Sequence, residues 1–120
     1  MPDINYHDRH FAPVNNSESG EVSGATRFHY RQRGEHLVWA TYEGGEILFG
    51  TLVANVIEGG ALDMRYQHVN RRGELMTGRC RSTPEVLADG RLRLHESWQW
   101  TCGDQSAGTS VLEEIKLTGD

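Results

Sequence analysis

Three charged side chains, Arg79, Arg81 and Glu96, fall at positions that strand alternation assigns to the interior of the protein. Charges inside a fold are costly unless they are paired or serve a ligand. One interpretation is a binding cavity in which an arginine holds an anionic or carbonyl group while a flat apolar body packs on nearby rings. The other is an internal arginine–glutamate pair that seals one end of the fold. The sequence leaves both open.

Aromatic residues accompany these charges, and alternation along the last strand adds Glu113 as a second inward acid. A catalytic version of the site uses Glu96, desolvated beside indoles, as a general acid or base, with Arg79 stabilising negative charge. An error of one residue in the loop between positions 84 and 90 would move both arginines outside. The predicted ligand-binding residues are Tyr66, Arg79, Glu96, Trp98, Trp100 and Glu113.

Turn signals at regular spacing predict short strands. The chain has 14 glycines but only three prolines, and Gly-Gly and Asp-Gly pairs favour hairpin turns because they accept positive φ. No segment shows a helical period over three turns. The predicted strands are residues 4–11, 24–32, 36–43, 46–57, 61–69, 74–83, 91–101 and 109–117.

Eight sequential strands with short connections indicate an all-β fold in one domain, residues 1–120. A meander of this length avoids exposed edges by closing into an antiparallel up-and-down barrel. Such a barrel leaves room for one small ligand. The sequence therefore predicts an eight-stranded up-and-down β-barrel that binds a small molecule, with a filled barrel acting in assembly as an alternative.

Two-residue turns at 44–45 and 59–60 predict which side chains of the fourth strand face inward. This register places Phe49 and Val53 inside with Tyr42. It leaves a second apolar patch outside, which predicts a subunit interface in a homo-oligomer, or cover by the N-terminal segment. The patch consists of Trp39, Leu48, Leu52 and Val56.

The cysteines and histidines predict neither a disulfide nor a metal site. Cys80 and Cys102 fall on neighbouring strands with their sulfurs displaced and facing opposite sides. His7 and His10 are three residues apart, which places them on opposite faces of a strand, and no further ligand completes a set. Accordingly, no metal and no cofactor are predicted.

The charge pattern argues against nucleic acid as a partner. The net charge is -5, with 17 acidic and 12 basic residues, and the basic residues are scattered. The longest uncharged apolar stretch, residues 47–57, is about half of the roughly 20 residues that a membrane helix needs. With no basic segment and apolar run at the N-terminus, a cytoplasmic location is expected.

Several sequence strings spread over nearly the whole chain carry a family resemblance. They are Phe28-His29-Tyr30, Asp63-Met64-Arg65-Tyr66, Gly73-Glu74-Leu75-Met76-Thr77-Gly78 and His95-Glu96-Ser97-Trp98-Gln99-Trp100-Thr101. The chain resembles a family of small uncharacterised bacterial proteins similar to avidin-like or lipocalin-like barrels, some of which are labelled N-acetylglutamate synthase. The resemblance implies the same barrel as the strand count.

The residues do not support the acetyltransferase label. Such enzymes bind a pyrophosphate on a strand-to-helix glycine loop. The segment 31–36 begins like such a loop, but it ends in His36 where a small residue is required, and it connects two strands. Biotin binding does not follow from an avidin-like fold either, because a fold alone does not imply a function.

Overall fold

The computed structural model describes residues 4–16 and 20–116, and its regular elements are eight strands and one 3-10 turn at Glu58–Gly60. No helix in these ranges is long and apolar enough to span a membrane. The strands are β1 (Arg9–Asn16), β2 (Arg27–Arg33), β3 (Leu37–Gly44), β4 (Ile47–Val56), β5 (Leu62–Asn70), β6 (Leu75–Val86), β7 (Leu92–Trp100) and β8 (Ala107–Ile115).

The strands form a closed antiparallel barrel in chain order. Each strand pairs with the next, and β8 pairs back with β1. The closing ladder shifts register between Pro13 and Asn15, which leaves Val14 as the extra residue of a bulge. The predicted eight-stranded up-and-down barrel is confirmed, although β1 begins at Arg9 rather than at residue 4.

Three hairpins turn through three residues each, which determines the facing of the strands that follow. Arg33 pairs with Leu37, as required for Phe28 and Tyr30 to lie inside. Asn70 donates its amide to the Glu74 carbonyl at 3.0 Å, and Leu87 donates to the Arg91 carbonyl at 2.8 Å. In the latter two turns the third residue is a glycine with positive φ, as in the common three-residue hairpin loop.

These turns invert the predicted facing of β6. The predicted inward facing of Arg79 and Arg81 requires four residues in the first of these two loops and two residues in the second. The real loops displace β6 by one residue, so Gly78, Cys80 and Ser82 face inward, whereas Arg79 and Arg81 are exposed. The two errors are opposite in sign and cancel at β7, whose inward face was predicted correctly.

A β-bulge in β4 reverses the predicted facing of the residues that follow it. The register of β4 shifts between Ile47 and Phe49 against β5. Ile47 is buried, but Leu48 and Phe49 are both exposed, and beyond the bulge Leu52 is inside and Val53 outside. The prediction that Phe49 and Val53 lie inside and Leu52 outside is therefore wrong, because a bulge adds one residue to the strand and reverses alternation after it.

Two tyrosine rings inside the barrel lie against glycines directly opposite on a neighbouring strand. Tyr42 pairs with Gly50, and Tyr66 pairs with Gly78. A Cβ atom built on either glycine would overlap the tyrosine ring. The absence of a side chain lets each ring lie over the neighbouring backbone, so these glycines make room for the aromatic core.

We expect Gly78→Ala to lower the free energy of unfolding by about 1–3 kcal/mol, because the new methyl group overlaps the Tyr66 ring in a packed interior. Urea unfolding followed by circular dichroism measures the change. Gly24→Ala is the matched control, since a Cβ there meets nothing within 4 Å. Equal stability of the two variants would show that the Tyr66 ring moves aside without cost.

Candidate functional site

The barrel interior contains a cavity of about 50 Å³, walled by side chains from β2 to β8 and by residues 20–22 of the β1–β2 connection. A water molecule needs roughly 10–15 Å³ of such space, so the cavity holds more than one water-sized group. Six aromatic side chains line it: Phe28, Tyr30, Tyr42, Tyr66, Trp98 and Trp100.

Ring contacts and one hydrogen bond fix the aromatic wall. Phe28 and Tyr42 stack with their centroids 4.8 Å apart, and Trp98 meets Trp100 edge to face at 5.7 Å. The Trp98 Nε1 donates to the Ser110 hydroxyl at 2.8 Å. A wall held by such contacts is preformed, which lowers the entropy cost of binding a ligand.

Glu96 is the strand-borne acid of the cavity, on β7. Its carboxyl group lies among the aromatic rings, directly across the ladder from Ser82. Burial raises the pKa of Glu96 to about 7, and the neighbouring Ser82 hydroxyl opposes that shift. A carboxyl group in this state changes its charge near neutral pH.

Two buried polar atoms at the cavity, Tyr30 Oη and Glu96 Oε2, have no hydrogen-bond partner among the described residues. Ser82 Oγ likewise makes no hydrogen bond of good geometry, although its hydroxyl is close enough to Glu96 to oppose the rise in the pKa of that carboxyl group. The Tyr30 and Ser82 residues are fully buried. Leaving a buried polar group unpaired costs about 1–3 kcal/mol, so most such groups in proteins have a partner. Tyr30 and Glu96 line the cavity, so the phenol and the carboxyl group offer a donor and an acceptor to a molecule inside it.

The structure brings together four of the six predicted site residues: Tyr66, Glu96, Trp98 and Trp100 line the cavity. Arg79 does not join them, because it lies on the outer face and donates to Gln99 Oε1 at 2.8 Å. The internal pairing of Arg79 or Arg81 with Glu96 that the sequence left open does not form, since Arg81 is also exposed.

Glu113 also lies outside the cavity. It accepts from Arg93 at 2.9 Å and from Arg91 at 3.0 Å across the outer surface of β7 and β8. The hydrogen bonds from Arg93 and Arg91 hold the pKa of Glu113 below its usual value. The inward residues of β8 are Ser110 and Leu112, so the predicted facing of Glu113 is wrong by one residue.

The residues that line one end of the cavity were not predicted from the sequence. We call residues 20–22 the mouth segment. Its Glu21 binds His68 Nε2 at 2.8 Å and accepts from Asn70 at 2.9 Å and from Arg72 at 3.0 Å. Alternation from Tyr66 places His68 on the inward face, but the contact with Glu21 joins residues that are far apart in the sequence.

We expect Glu96→Gln to stabilise the protein relative to wild type at pH 8.5 and to lose most of that advantage by pH 5. The folded state raises the pKa of Glu96 from 4.5 to about 7, so wild-type stability falls as pH rises through this interval. The difference in the free energy of unfolding between variant and wild type should grow by about 2 kcal/mol over that range.

Urea unfolding at several pH values measures this difference. The matched control is Glu35→Gln, in the exposed β2–β3 turn, for which the difference from wild type should stay flat. A flat profile for Glu96→Gln as well would mean that the Glu96 carboxyl group is ionised in the fold at no cost.

Comparison with known proteins agrees with this geometry. A family model described as "Avidin-like protein" matches residues 4–115, which span all eight strands. No curated protein and no solved structure gives a match. Because the family model covers nearly the whole barrel, the chain belongs to the avidin-like protein family.

Proposed function

We propose that this protein binds a small molecule inside the barrel, between the aromatic wall and Glu96. The observation that carries the proposal is a preformed cavity lined by Tyr30 and Glu96, whose Oη and Oε2 atoms have no hydrogen-bond partner among the described residues. Cavities with apolar walls and a few convergent polar groups are typical of ligand sites. The avidin-like family is consistent with small-molecule binding.

The ligand in this proposal is neutral or cationic and carries N–H groups. An arginine clamp for an anion is not available, because Arg79 and Arg81 are exposed on the outer face. Aromatic faces attract cations, and a carboxylate accepts charge-assisted hydrogen bonds from N–H donors. The cavity of about 50 Å³ is one third of the roughly 150 Å³ that accommodates benzene, so the ligand has few heavy atoms while the mouth segment stays in place.

We expect methylguanidinium to change the tryptophan fluorescence of the protein saturably, and acetate to leave it unchanged. Glu96→Gln should weaken methylguanidinium binding at pH 8 by roughly tenfold or more, since a charge-assisted hydrogen bond contributes about 1.5–3 kcal/mol. Fluorescence titration measures the dissociation constants of methylguanidinium for the wild type and for Glu96→Gln. Native mass spectrometry of freshly purified protein tests in parallel for a retained small molecule.

Arg79→Gln is the control for this titration, because the Arg79 side chain lies outside the barrel. The proposal fails if Arg79→Gln weakens binding as much as Glu96→Gln does, or if neither probe binds and the protein carries no small molecule.

Catalysis by Glu96 is the second candidate function, favoured by its pKa of about 7, which suits proton transfer near neutral pH. The site lacks the arginine that the sequence analysis assigned to stabilise negative charge, since Arg79 points away from the cavity. We therefore rank binding above catalysis. Loss of turnover in Glu96→Gln, with binding of a neutral substrate retained, would reverse that order.

We further propose that the barrel self-associates through the outer face of β3 and β4. Val53 pairs with Trp39 across this ladder, and Leu48, Phe49 and Val53 are each at least half exposed. The β4 bulge turns two of these apolar side chains outward. The composition of the predicted patch therefore changes: Phe49 and Val53 join it, whereas Leu52 is buried and Val56 packs against the core.

We expect Val53→Asp to convert an oligomer into a monomer, because it places a charge at the centre of this apolar face. Size-exclusion chromatography with light scattering measures the mass. Val86→Asp is the control, since Val86 is equally exposed, at 55%, but lies at the end of β6 outside the patch. A wild-type protein that is monomeric at high concentration would contradict the self-association.

A further inference from the structure

A second cluster of chemically competent side chains lies outside the barrel, at the start of the β1–β2 ladder. His10 and His29 are direct partners in the register, and their rings stack with centroids 4.1 Å apart. Asp8 Oδ1 lies 2.9 Å from His29 Nε2. One ligand atom from each of the three residues can be chosen so that all lie within 4.8 Å of one another.

The backbone holds Asp8 in place beside the two histidines. The Asp8 amide donates to the Tyr30 carbonyl at 2.9 Å, which ties the residue before β1 to β2. Asp8 has φ 58°, the left-handed region that residues other than glycine adopt at tight turns. This turn directs the carboxylate back over the ladder towards His29.

We propose that Asp8, His10 and His29 bind one divalent transition-metal ion such as Zn²⁺. Two imidazoles and one carboxylate form a ligand set that suits Zn²⁺ and its neighbours in the first transition row, whereas Mg²⁺ and Ca²⁺ prefer oxygen ligands alone. The site is separate from the barrel cavity, since it lies on the opposite surface of β2 from Tyr30 and Phe28.

The geometry needs only a small adjustment. Donor atoms around a tetrahedral Zn²⁺ lie about 3.3 Å apart, given bonds of roughly 2.0–2.2 Å. The Asp8–His29 distance of 2.9 Å is already close to this value, and the His10 ligand atom, within 4.8 Å of the other two, needs the ring to turn from its stack towards the ion. Three protein ligands leave one tetrahedral position for water or an external ligand, as in open zinc sites.

Titration of the untagged, metal-free protein with ZnCl₂ and CoCl₂ tests the site. We expect one ion per chain by calorimetry, and a visible Co²⁺ absorption band typical of a site with nitrogen and oxygen ligands. His10→Ala, His29→Ala and Asp8→Asn should each weaken Zn²⁺ binding by at least about tenfold, because even residues behind the ligands contribute that much in known sites.

The control is His95→Ala, which removes a surface histidine held 2.8 Å from the Glu85 carboxylate and belonging to no three-residue ligand cluster within the described part of the chain. This variant should bind Zn²⁺ like wild type. Equal losses in His95→Ala and His29→Ala would overturn the proposal in favour of dispersed binding by surface histidines, as would no loss in the three site variants.

Thermal melts identify any variant that fails to fold. If His10→Ala does not fold, the Zn²⁺ affinity of Asp8→Asn tests the proposal instead. The Asp8 side chain is 71% exposed, so its replacement leaves the core intact. A second readout is the rise in Tm with added Zn²⁺, which wild type should show and Asp8→Asn should lose. The methylguanidinium titration is expected to be the same with and without Zn²⁺, which separates this site from the cavity.

Discussion

Closure of the sheet between β1 and β8 is the constraint on which the rest of the structure depends. A closed ladder has no free edge, so each strand must place alternate residues inside, and a shift of one residue in any strand exchanges its two faces. At the seam, Arg9 and Glu114 form an ion pair at 2.5 Å that ties the first strand to the last. The enclosed interior, with its aromatic wall and the Glu96 carboxyl group, exists because this seam holds.

The strand count and the barrel could be predicted from the sequence because they rest on turn residues and alternation, which are local. The facing of β6 and β4 could not. Gly73 and Gly90 mark turns clearly, but a glycine in a turn does not say whether two, three or four residues make the loop, and the parity of that number decides which face of the next strand is inside. The bulge after Ile47 leaves no local signal, since Leu48 and Phe49 are as compatible with the interior as with the surface.

The same distinction explains the candidate site. Glu96, Trp98 and Trp100 were predicted together because they alternate along one strand, so their relative facing needs no knowledge of neighbouring strands. The predicted inward facing of Arg79 was wrong because it depended on the lengths of two loops. The cluster of Asp8, His10 and His29 was not predicted, because it requires β1 to begin at Arg9 and His10 to pair with His29, a contact between strands that no spacing within one strand reveals.

The mouth segment differs in kind from the rest of the cavity wall. Among the described residues that line the cavity, residues 20–22 alone lie outside the strands, and Glu21 holds them through His68, Asn70 and Arg72. For a molecule too large for the cavity, displacing this segment costs less free energy than displacing a strand, because a strand can move only if its ladder hydrogen bonds break. The breaking of the Glu21 contacts would then govern how fast such a molecule exchanges, so residence time and affinity could vary independently.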